Sequence, residues 1–157
     1  MSELPIAHLS EGGRLAADCQ ARVGFPDYDD KKKPFFQRRT QLFLLRLIAD
    51  WQGIAPPPMP RQVDDEPLFA ALLAHWRSPD RDALTPLLLA ACGRHTHLVM
   101  IYKDSPDFGT SGNLVYIPFE ILAVLRLRQM HGLINPQLDH PLMATRMGVL
   151  HAGKRAV

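Results

Sequence analysis

The chain has 157 residues, 46% hydrophobic and 22% charged, which is the balance of one ordinary globular domain able to bury a core without disulfide or metal support. Its 18 basic and 16 acidic residues leave a formal net charge of +2, so no one-signed field points to nucleic acid or an anionic membrane surface. Cys19 and Cys92 form no Cys-x-x-Cys pair, the opening "MSELPIAHLSEGG" has no basic region followed by an apolar run, and runs such as "LFLLRLIA" break well short of the ~20 residues of a spanning helix. A reduced, cytoplasmic protein with no membrane span is expected.

Proline and glycine divide the chain into segments of helical length and period. Ser10 caps a first predicted helix that runs to Val23 and stops at Gly24, with Gly12 and Gly13 weakening its first turn. A second starts with Pro34 at its first position and ends with Gly53 just past its last turn. At the ~100° per residue of a helix, Phe36, Phe43, Leu44, Leu47, Ile48 and Trp51 share an arc opposite Arg39, Arg46 and Asp50, and that arc is expected to face the core. "IAPPPMPRQ" follows as a stiff extended connector, because consecutive prolines fix φ and remove amide donors.

"DDEPLFAALLAHWRS" predicts a third helix with acidic residues and Pro67 at its start. "SPDRDALTPLLLAACGRHTHLVMIYKDS" predicts a fourth, in which Pro86 either starts the helix or kinks it. Residues 96–103, "THLVMIYK", also read as a strand on their β-branched and aromatic content, but no partner strand is evident. After the polar loop "DSPDFGTSGN", the segment "IPFEILAVLRLRQMHGL" predicts a fifth helix with Pro118 in its first turn and Gly132 as its left-handed cap. That last helix is apolar around nearly its whole circumference, the pattern of a helix buried among others. Its exception is a stripe of Glu120, Val124, Arg128 and His131, whose charges suit the dipole at each end; a structural ion network is expected there, with partner binding by Glu120 and Arg128 as the alternative. The expected fold is therefore all-α: one domain over residues 1–157, a bundle of about five helices with a buried C-terminal helix.

No catalytic motif is complete. "GVLHAGKR" has the glycine and lysine spacing of a phosphate-binding loop, but Arg155 stands where a magnesium-binding Ser or Thr is needed. "DFG" at 107–109 lacks the other kinase elements, and Ser111 in "GTSGN" is not on a nucleophile elbow. "DYDDKKK" at 27–33 lacks the glycine and distal glutamate of a calcium loop. His95 and His97 would share one face of a strand but diverge by ~200° on a helix, which opposes a zinc site there. No catalytic residue, metal or cofactor is assigned, and nothing indicates an oligomeric state.

The segment "FEILAVLRLRQMHGLINPQLDHPLM" resembles the closing part of small helical immunity proteins encoded beside polymorphic toxins, the PoNi-like family associated with type VI secretion. In that family a helix opening with Phe-Glu and rich in alanine and aliphatics ends at Gly-Leu and is followed by a short Leu, Asp or Asn, His or Asn, Pro turn. Phe119, Glu120, Ala123, Gly132, Leu133, Leu138, Asp139, His140 and Pro141 stand in those places, whereas Leu142 and Met143 replace aromatics frequent in the family.

The resemblance implies a cytoplasmic immunity protein that binds a cognate secreted toxin domain and occludes its active site. The carboxylate and aromatic residues of two polar loops, Tyr28, Asp29, Asp30, Asp107 and Phe108, are the expected contacts, with the Arg39 and Arg46 face as the alternative surface. Two other readings compete: a helical metal-dependent or small-molecule enzyme built on His95 and His97, and an adaptor or chaperone for a secreted effector.

Overall fold

The computed structural model of the chain describes residues 39–56, 66–101 and 116–150. Among these residues every regular element is helical and no strand occurs. There are four α-helices: α1 (Arg39–Gln52), α2 (Pro67–His75), α3 (Arg81–Ile101) and α4 (Phe119–Met130). Two 3-10 turns follow, η1 (Pro141–Ala144) and η2 (Arg146–Gly148). The predicted first helix at 10–23 lies outside the described residues, as do Pro34 and Phe36. The chain divides into two compact units, Met1–Asp64 and Asp65–Val157, with α1 in the first and the other elements in the second. Among the described residues, no helix is long and apolar enough to cross a membrane.

In the first unit, α1 ends as its sequence predicts. Gly53 takes φ of +68°, its N–H bonds the Asp50 carbonyl at 3.2 Å, and the Ile54 N–H reaches back to the Ala49 carbonyl at 3.0 Å. That pair of bonds is the Schellman stop, and glycine supplies the left-handed residue it needs without a Cβ clash. The predicted burial arc is too narrow. Phe43 and Leu47 are buried as expected, but so are Thr40, Leu42, Leu45 and Ala49, while Leu44, Ile48 and Trp51 are only half-buried. Arg39 and Arg46 are half-buried too.

The second unit starts at Pro67, which opens α2 where a missing N–H costs nothing because the first turn has no intrahelical acceptor for it. Asp80 caps α3: its Oδ1 accepts from the Asp82 and Ala83 amides at 2.9 and 3.2 Å. The helix then continues through Pro86 to Ile101, so Pro86 neither starts nor ends it, and residues 96–101 are helical rather than extended. Pro86 is tolerated because it sits on the exposed side, where water can satisfy the Asp82 carbonyl left without its i+4 donor.

The buried positions of α3 are Leu84, Leu88, Ala91, Cys92 and His95, recurring at three and four residues to make one face. α2 packs on this helix and contributes Phe69 and Leu72, followed by Trp76 just past its end; α4 also packs on α3 and contributes Ile121, Val124, Leu125 and Leu127. Removing each of these large aliphatic or aromatic side chains from water stabilises the unit by roughly 1.5 to 3 kcal/mol before chain entropy is counted.

Helix α4 departs from the expectation of burial on all sides. Arg126 and Gln129 are exposed, so it presents one side to solvent. The charged stripe is itself buried: Glu120, Val124 and Arg128 are at most 1% exposed, and only His131 at the end emerges.

Candidate functional site

Two charges placed inside one helix two turns apart are costly unless each finds a partner. At the start of α4 the partner is His95 of α3, whose Nδ1 lies 2.8 Å from Glu120 Oε1 with both side chains 1% exposed. The edge of the Phe119 ring closes one side of the imidazole, with centroids 6.4 Å apart at 82°. Glu120 Oε2 is buried with no hydrogen-bond partner. His95 makes further interactions besides this one.

Cys92 is buried one turn before His95 on the same face of α3. A thiol, an imidazole and a carboxylate in this order are the components of a nucleophilic triad, but the environment works against that chemistry. Burial first, and the negative charge of Glu120 second, push the Cys92 thiol up to about 11, so it stays protonated where a nucleophile needs thiolate. Burial also denies a substrate access to the sulfur. In this conformation the group joins two helices.

At the other end of α4 the guanidinium of Arg128 is fully buried and meets neutral oxygens. Its Nη1 donates to the Trp76 and Ser78 carbonyls at 2.6 and 2.7 Å, Nη2 to the Ile134 carbonyl at 2.9 Å, and Nε to Asn135 Oδ1 at 3.3 Å. Burial lowers the guanidinium from its ordinary value, yet arginine starts so high that it remains cationic. The planar fork thereby ties together the end of α2, the connection to α3 and the stretch after α4. Asn135 adds a bond from Nδ2 to the Leu125 carbonyl at 2.8 Å. The turn between them is a second Schellman stop: Gly132 at φ +71°, its N–H on the Gln129 carbonyl and the Leu133 N–H on that of Arg128.

Glu120 and Arg128 thus occupy separate sets of contacts, and His131 takes part in neither. Its ring meets Trp76 edge-on, with centroids 5.3 Å apart at 77°. His97 is exposed on α3 while His95 is buried, so the two do not converge, and among the described residues no group of three or more His, Cys, Asp or Glu is placed to hold a metal. His140 Nδ1 accepts from the Leu142 amide at 3.1 Å and caps η1. The expected partner-contact residues Tyr28, Asp29, Asp30, Asp107 and Phe108 lie outside the described residues. No protein-family model matches the chain, and comparison with curated proteins and with solved structures returns no match.

Proposed function

We propose that the chain is an immunity protein that binds a cognate antibacterial toxin acting in the cytoplasm and neutralises it by covering its active site. The observation that supports this reading best is the coherence of the segment carrying the resemblance. Glu120 anchors the start of the helix to α3, Arg128 holds the stretch beyond its end, Gly132 and Leu133 form the stop, and His140 with Pro141 opens the following turn. Of these, Glu120, Gly132, Leu133, His140 and Pro141 belong to the pattern that carries the resemblance, and their parts in one contact, one stop and one turn are what a shared scaffold would require. The inhibitory surface is then carried by loops on the scaffold, and binding rather than bond-making is its task.

The test is co-expression with the product of the neighbouring reading frame. Growth should be restored by the intact chain and a stable complex recovered. With Asp29, Asp30, Asp107 and Phe108 all replaced by alanine, protection and affinity should fall while circular dichroism and melting stay unchanged. Full protection by that quadruple variant moves the interface elsewhere, and a chain that neither binds nor protects overturns the reading. An enzyme built on both His95 and His97 gains nothing from α3, which buries one imidazole and exposes the other.

A further inference from the structure

We draw no further inference here: the strongest candidate, the solvent side of α3 formed by Ala83, Pro86, Ala90, Gly93 and Met100, is an exposed apolar face, and nothing among the described residues shows what covers it.

Discussion

Glu120 and Arg128 lie two turns apart on α4, at 1% and 0% exposure, and meet the cost of burial by different means. Arg128 is a permanent cation whose donors end on carbonyl and amide oxygens, so its stabilisation depends on geometry and is insensitive to pH near neutrality. Glu120 relies on a titratable neighbour and leaves one oxygen unmet. One end of the helix is therefore fixed mainly by backbone carbonyls, and the other by a single side-chain contact between two helices. Position on the helix alone would have assigned both residues to the dipole, but their partners separate them.

The largest consequence is expected at the satisfied end. Arg128→Met keeps much of the side-chain volume but strands the buried Trp76 carbonyl and the part-buried Ser78 and Ile134 carbonyls, and should cost about 3 to 5 kcal/mol. Urea unfolding at pH 6 and pH 8 should return the same loss at both. A loss below about 1 kcal/mol would mean that water reaches those carbonyls. Glu120→Ala should cost less, about 1 to 3 kcal/mol, because it removes one hydrogen bond and an oxygen that was already unpaired. Urea unfolding beside the parent measures that loss, and an unchanged midpoint would show that the Glu120–His95 contact does not hold α4 to α3.

Much of the helical scaffold was readable because its signals are local. Gly53 and Gly132 announce their stops through the φ they permit, Pro67 announces a start, and the buried positions of α3 fall on a helical period. The misjudged features depend on tertiary approach. The width of the buried face of α1 is set by what surrounds it, not by its own alternation. Two of the partners of Arg128 are backbone carbonyls at Trp76 and Ser78, 50 or more residues away, and a carbonyl carries no sequence signature.

The partner of Glu120 left a fainter trace. His95 continues the apolar face set by Leu84, Leu88, Ala91 and Cys92, and Glu120 opens the buried face of α4. A histidine and a glutamate each occupying an apolar position is a hint that they meet. The Asp29, Asp30 and Asp107 surface was chosen on composition, which specifies no geometry.

A smaller effect should come from the two 3-10 turns. A Cβ at Gly148 would lie 2.5 Å from the Leu142 carbonyl oxygen and 2.7 Å from Met143 Cα, both backbone atoms that cannot swing aside. Gly148→Ala should cost about 1 to 2 kcal/mol by forcing η1 and η2 apart. Amide exchange should then speed up at Met143 and Gly148, whose N–H groups bond His140 and Thr145, while α2 and α3 keep their protection. Loss of protection throughout the second unit would show that the turn and the helices unfold together.

The smallest effect near neutral pH is expected at Cys92, and it probes the Glu120 end from the opposite side. Its thiol is pushed from the ordinary 9.0 up to about 11, by burial foremost and by the charge of Glu120 second. Through that window the unfolded chain gives up the thiol proton while the folded chain keeps it, so stability is unaffected near neutrality and falls as pH rises above 9. With Cys19 replaced by serine, Cys92 at pH 8 should react with a thiol reagent only as fast as the protein opens, and denaturant should release it fully. Adding Glu120→Gln removes the secondary cause and leaves the larger one, so the thiol should come down only slightly and remain slow to react if the fold holds. Rapid labelling of the parent at pH 8 would instead show that α3 and α4 part locally at the His95–Glu120 contact, well before the carbonyl clamp at Arg128 lets go.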